Sequence, residues 1–316
     1  MFSLHMRMGV LLALLFALIY AIVVVFGTAM GQGSFSFYLI FAFVLMGIQF
    51  MIGPKMVEWS MKVKYVKRDE YPQLYEMIED QARRANIPMP RVCVSALNIP
   101  NAFAFGRGVS DGRVCVTRGI MELLSPEELK AVIGHEISHI KNRDVMTITI
   151  LSVLPMIMWR LAWHFLFYGS RRREGGGGAL LGVAAFGFYF LTNLLVLYAS
   201  RVREFFADKG AVELGNRPEA LATALYKLVY GSARMDKRAL KEAEGLKAFF
   251  VNDPSRAMDE IKELSQLDVD RSGTIDPDEL ALLRSKKVKI TSGDNLMELL
   301  STHPNMLKRI QHLSTL

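Results

Sequence analysis

The sequence predicts a mostly helical α+β membrane protein, with two apolar helical hairpins and a small sheet packed on one central helix. Three observations predict it. The 316 residues are 51% hydrophobic with a mean hydropathy of +0.23, too apolar for an ordinary soluble enzyme of this length. The apolar residues cluster in two pairs of runs, 8–26 with 35–52 and 145–168 with 179–200, each close to the roughly 20 residues that cross a bilayer. Between and after the pairs, helical and alternating patterns replace continuous apolar sequence, as in a compact lobe outside lipid. The chain therefore divides into 1–54, 55–144, 145–200 and 201–316.

The first pair is an anchored hairpin rather than a cleaved leader, because a second apolar run follows an uncharged link at 27–34. Arg7 precedes it, and Lys55, Lys62, Lys64, Lys67 and Arg68 follow it. Basic flanks stay on the cytoplasmic side, so the lobe that follows is expected in the cytoplasm, tethered to a plasma or inner membrane by several passes. These flanks also account for the net charge of +7, which leaves no case for a nucleic-acid partner; the expected partners are the lipid bilayer and the substrate considered below. Cys93 and Cys115 lie in apolar stretches on the reducing side, where packing is expected and a disulfide is not.

Residues 70–85 have helical periodicity, which 86–90 interrupts. The stretches 91–97 and 113–117 alternate like strands, joined through 101–106 and the turn Ser110-Asp111-Gly112. A short sheet results. Its edge can take an extended polypeptide by strand addition, with Asn101, Ala102 and Phe103 as the candidate contact.

The next helix carries the chemistry. Ser125 is placed as N-cap, Pro126 at the first helical position and Glu128 to close a capping box, after which Leu129, Val132, Ile133, Ile137 and Ile140 recur at helical spacing. Within that helix lies His135-Glu136-Ile137-Ser138-His139. Histidines at i and i+4 share a face, so both imidazoles reach one cation, with Glu136 at the edge of that face. Zinc on two neutral imidazoles beside a carboxylate suits peptide-bond hydrolysis: the metal acidifies water and polarises the carbonyl, and the carboxylate carries the proton.

In the second apolar pair, 145–168 contains Arg160 and His164, whereas 179–200 is uncharged. Arg171, Arg172 and Arg173 between them would fall outside, against the positive-inside tendency. A spanning or partly embedded hairpin is nonetheless expected, because roughly forty apolar residues otherwise lack cover, and Arg160 is then expected to face protein or water. An even number of crossings returns Glu204 to the side of the paired histidines as third zinc ligand. Asp208, one turn later on the same face, is placed to accept the free N–H of a ligand imidazole.

Together, His135-Glu-Ile-Ser-His139, Asn101-Ala-Phe-Ala104, Arg201-Val-Arg-Glu-Phe-Phe-Ala-Asp208 and Thr302-His-Pro304 with Arg309-Ile310 resemble the HtpX family over nearly the whole chain. That family comprises membrane-bound zinc endopeptidases of the gluzincin type, related to the prenyl-protein endoproteases. The resemblance implies a zincin-type fold, one zinc ion on His135, His139 and Glu204, and Glu136 as catalytic base. It further implies cleavage of damaged or misfolded membrane proteins as a stress response. His303 matches the family's late His-Pro segment and is the candidate donor to the developing oxyanion, with Arg309 as a weaker one.

One segment lies outside that pattern. Residues 268–279 fit a twelve-residue EF-hand loop within an EF-hand-like segment at 256–285. Asp268, Asp270, Ser272, Asp276 and Glu279 supply oxygens, Thr274 a backbone carbonyl and Gly273 the sharp turn, so calcium is a candidate second ion. No second loop is present to pair with it. The competing reading of the chain is a non-catalytic scaffold or calcium-responsive binding protein, which would be expected to have lost Glu136 or a ligand; all are present.

Overall fold

The computed structural model describes residues 35–144, 146–147, 155, 158–159, 161–163, 165–166, 177–233, 260–261, 264, 266–270, 272–285 and 298–316. The expected span at 8–26 and its link, Arg160, His164 and the arginines at 171–173 lie outside them. The chain divides into two compact units, Met1–Ile52 with Met146–Ser200, and Gly53–Val145 with Arg201–Leu316.

In the first unit, helix α1 (Phe35–Ser60) begins over the second expected span, and α5 (Gly177–Glu213) covers the fourth. Leu180–Glu213 is the one helix among the described residues long and apolar enough to cross a membrane. Only 22% of its apolar window is buried, unlike the core helix of a soluble protein. Trp159 packs on Phe186 and Tyr189, with ring centroids 6.4 and 5.4 Å apart. Gly182 comes so close to Leu166 that a Cβ there would meet its side chain at 2.7 Å.

The second unit is built on a four-stranded mixed sheet, β1 (Val63–Tyr65), β2 (Arg91–Ser95), β3 (Ala102–Phe105) and β4 (Arg113–Thr117), in the order β1-β2-β4-β3. β2 and β4 run parallel with Cys93 opposite Cys115, while β1 and β3 pair antiparallel at the edges. β1 was not expected: three residues among lysines are too few to display an alternation. Successive side chains point to opposite faces. Val92, Val94, Val114 and Val116 join Val132, Ile133, Ile137 and Ile140 in the main core, and Cys93, Cys115, Phe103 and Phe105 pack with Val57 and Met61 behind the sheet. Both cysteines are buried and unpaired, and burial pushes the Cys93 thiol up to about 12.

Helix α2 (Pro72–Ala85) buries Leu74, Ile78 and Ala82 and stops at Asn86, whose left-handed φ of 55° turns the Ile87 N–H back to the Ala82 carbonyl. A short α3 (Arg118–Leu123) leads into α4 (Pro126–Lys141), which starts with the expected capping box: Glu128 N–H donates to Ser125 Oγ, and Ser125 N–H to Glu128 Oε2. Behind α4 lies α6 (Pro218–Ala233), with Leu221, Leu225, Leu228 and Val229 buried on one face as the periodicity requires. Lys227 donates to both oxygens of Glu128 and ties α6 to the start of α4. Helices α7 (Pro277–Ser285) and α8 (Met306–Leu313) complete the described part of the unit.

Candidate active site

Two close approaches set the position of the helix bearing the paired histidines. A Cβ at Gly210 of α5 would lie 1.9 Å from Ser138 Oγ, and one at Gly134 would lie 2.4 Å from the Asn216 amide. Only glycine lets the backbones come this near. Asn216 in turn donates to Gln81 Oε1 and to the Ala211 carbonyl. The C-terminal turns of α5 thus lie along α4, and Glu204 reaches the imidazoles.

His135, Glu136, His139, Glu204 and Asp208 are all buried. The two Nε2 atoms stand 3.1 Å apart. Glu204 Oε2 lies 3.5 Å from His135 Nε2, and Oε1 the same distance from His139 Nε2. Each imidazole is held through its other nitrogen: His135 Nδ1 is 2.9 Å from Asp208 Oδ1, and His139 Nδ1 is 2.6 Å from Asp144 Oδ2. Asp208 stands where the helical spacing puts it. Asp144 is not among the residues that the sequence singles out: a ligand histidine is expected to give its free N–H to some acceptor, but spacing does not say which.

Arg309 of α8 closes the cluster. Its Nε and Nη2 donate to the two oxygens of Asp208 at 2.9 and 2.6 Å, and Nη1 lies 3.3 Å from Glu204 Oε2. This guanidinium is fully buried and committed to the carboxylates, so its place is behind the ligands rather than facing an oxyanion. His303 lies in the turn before α8, whose N-cap is Asn305. It therefore does not cap the helix, and its Nδ1 is 3.5 Å from Glu204 Oε2.

Burial opposes the charge on each of these groups, and the neighbours decide the outcome. Burial disfavours the His135 imidazolium, yet hydrogen bonds to Asp208 and Glu204 carry its pKa up to about 9. Burial likewise works against Glu204, but His303, His135 and Arg309 hold its carboxyl well below the ordinary range. Asp208 is lowered against the same burial cost by Arg309 and His135. Glu136 goes the other way: burial raises it, and the two imidazoles and an Ala104 backbone hydrogen bond only partly offset that.

The donor set fits a divalent ion. Two atoms each about 2 Å from one tetrahedral zinc lie about 3.3 Å apart, close to the three separations among His135, His139 and Glu204. Glu204 Oε2 and both ring nitrogens of His303 are buried without a hydrogen-bond partner, and native structures seldom leave such atoms unmatched unless an ion or substrate group meets them.

Asn101, Ala102 and Phe103 lie on and beside β3 with buried side chains, so the strand offers its backbone. Thr117 N–H donates to the Asn101 carbonyl. By alternation, the main-chain groups of Ala102 and Ala104 point away from β4, to the edge that no strand occupies among the described residues.

The loop at 268–279 closes as its sequence pattern requires. Asp268, Asp270 and Glu279 bring one oxygen each within 4.8 Å of one another. Gly273 has φ +80°, Asp268 accepts from the Ser272 and Gly273 N–H groups, and Pro277 is the first residue of α7. Thr223 of α6 both accepts from the Ile275 N–H and donates to its carbonyl.

The model of peptidase family M48 matches residues 68–316. Among curated relatives, a "Protease HtpX homolog" of Methanothermobacter thermautotrophicus is 49% identical over 227 residues, covering 72% of this chain and 86% of the relative. The homolog of Thermoplasma acidophilum is 32% identical over 314 residues, covering 98% of this chain and 95% of its own. Among solved structures, Ste24p of S. mikatae shares the fold at a TM-score of 0.55 and 16% identity, covering 94% of this chain, which spans 62% of that longer one. The chain belongs to peptidase family M48 and is a protease of the HtpX type.

Proposed function

We propose that this protein is a zinc endopeptidase that cleaves polypeptides at the membrane surface, with His135, His139 and Glu204 as metal ligands. The observation that carries this reading is the convergence of two imidazole Nε2 atoms on a buried carboxylate, one oxygen of which makes no hydrogen bond. A zinc ion held by these three side chains would lower the pKa of a water and polarise the scissile carbonyl. Glu136, buried beside the two imidazoles with its carboxyl raised by that burial, takes the proton of the attacking water and returns it to the leaving amine. His303 donates to the carbonyl oxygen as negative charge builds there. Asp208 and Asp144 fix the ring orientations, Arg309 keeps Asp208 ionised, and the outer edge of β3 holds the substrate main chain.

The test is cleavage of casein or self-cleavage with added zinc, comparing the native chain with Glu136→Gln. The variant should retain its zinc and lose activity by a factor on the order of 10² to 10⁴, while His139→Ala should lose zinc as well. Equal cleavage by the native chain and Glu136→Gln removes the assignment.

The contacts of Trp159 with Phe186 and Tyr189, and of Gly182 with Leu166, support a second membrane hairpin. The basic flanks of the first apolar pair favour a catalytic unit on the cytoplasmic side, with misfolded membrane proteins as its proposed substrates. Labelling of engineered cysteines from either side of sealed vesicles checks this. Calcium in the 268–279 loop is a second reading, favoured by the three convergent oxygens; absence of heat on titration with millimolar calcium removes it.

A further inference from the structure

Arg201 has no part in the site as drawn so far, yet it lies one turn before Glu204 on the same helix, and three and four residues apart on a helix means a shared face. It is buried. Its Nη1 donates to three backbone carbonyls from a distant part of the chain: Glu298 at 2.8 Å, Leu299 at 3.1 Å and Ser301 at 2.8 Å. These carbonyls close a short helical turn at 298–300, and the end of a turn leaves carbonyls that need a donor and favour a cation.

The next contact passes the position on. Ser301 Oγ accepts the backbone N–H of His303 at 3.2 Å, and Lys308 pairs with Glu298 from the far side. The segment that carries His303 is therefore pinned at its start to the helix that carries Glu204, through one guanidinium nitrogen and one hydroxyl. Neither ring nitrogen of His303 makes a hydrogen bond, and its Nδ1 has only the 3.5 Å approach to Glu204 Oε2, so its backbone largely sets its location.

We propose that Arg201, acting through Ser301, is a positioning residue that sets where His303 stands beside Glu204. This rests on His303 as the oxyanion donor. It predicts that loss of Arg201 costs part of the catalytic advantage that His303 supplies and nothing beyond it, because the donor is present but displaced.

The experiment is a double-mutant cycle on the full-length protein in detergent with a fluorogenic peptide, using Arg201→Gln, His303→Ala and both together, with zinc content measured on each. His303→Ala should lower kcat by about 10²- to 10³-fold, as removal of one oxyanion donor does. Arg201→Gln should lower kcat at least tenfold with KM within twofold of native and zinc content unchanged. The double variant should be no slower than His303→Ala alone.

Losses that multiply, an Arg201→Gln variant with native kcat, or a loss explained by zinc content overturn the proposal. A native kcat in His303→Ala removes the oxyanion reading on which it stands, a separate failure. If Arg201→Gln does not fold, Ser301→Ala replaces it in the cycle: a several-fold fall in kcat that vanishes on the His303→Ala background supports the proposal, and a multiplicative or absent loss overturns it.

Discussion

The second unit holds two carboxylate clusters that solve the same problem in opposite ways. At the candidate metal site the carboxylates come from two distant segments, are buried, and leave Glu204 Oε2 and both His303 nitrogens without a hydrogen bond. In the loop at 268–279 the carboxylates belong to one short stretch and are already matched: Asp268 accepts from Ser272 and Gly273, and Glu279 from Val269 and Asp276. The first arrangement is held by tertiary packing and by mutual charge, and its donor atoms converge as they would around an ion. The second keeps its shape through its own backbone, so an ion there adds to a structure that already stands. Arg309 and Asp144 stand behind the histidines and Glu204, while among the described residues Tyr226 and Thr223 of α6 bond to the loop.

The contrast is sharpest in stability. Asp208→Ala removes the acceptors of Arg309 Nε and Nη2 and leaves a buried cation with Glu204 as its remaining carboxylate, which costs about 3 kcal/mol; thermal unfolding in detergent should show a large fall in Tm. Asp268→Ala should cost clearly less, and equal losses would break the comparison. Next in size, Asp144→Asn weakens the bond that orients His139 and should reduce zinc affinity about tenfold to a hundredfold while leaving the fold intact, as measured by competition with a chromogenic chelator. An unchanged affinity would mean that Asp144 serves only Arg203, whose Nε lies 3.3 Å from it.

Smaller effects test the loop. Tyr226→Phe removes the hydroxyl that donates to Asp268 Oδ2 at 2.9 Å and should cost about 1 kcal/mol, read from the same melting curve, with proteolysis unaffected. The smallest effect is in pH. The Ser272 backbone and side chain hold the exposed Asp270 carboxyl below its ordinary value. A carboxyl depressed in the folded state binds fewer protons folded than unfolded. Its contribution is therefore complete above the unfolded value of about 3.9 and fades as pH falls through the lower folded one. Amide-exchange protection at Ser272 should be constant from pH 7 to 5 and decline only below about pH 4; a change between 7 and 5 would contradict this.

Legibility followed the range of the interaction. The capping box of α4, the stacking of His135 over His139 and the turn at Gly273 depend on residues within a few positions of one another, and sequence spacing reads them directly. Glu204 and Asp208 were legible as a pair because one helical turn separates them. Asp144 was not: it follows the end of α4, where Arg143 at φ 56° turns the chain, and no periodicity predicts that its carboxyl meets His139. Arg309 was visible as a residue near the site, but its commitment to Asp208 was not, since the two stand a hundred positions apart.

By itself, the sequence determined which side chains can hold a metal, which helix presents them and which stretches are apolar enough for lipid, because each of these follows from composition or from a local period. The tertiary structure alone decided that Gly134 and Gly210 let two helices close on each other, that Asp144 and Arg309 stand behind the ligands, and that Arg201 holds the turn bearing His303. Those facts come from burial and close packing between distant segments, where the cost of an unmatched charge selects its partner by proximity in space and not by position along the chain.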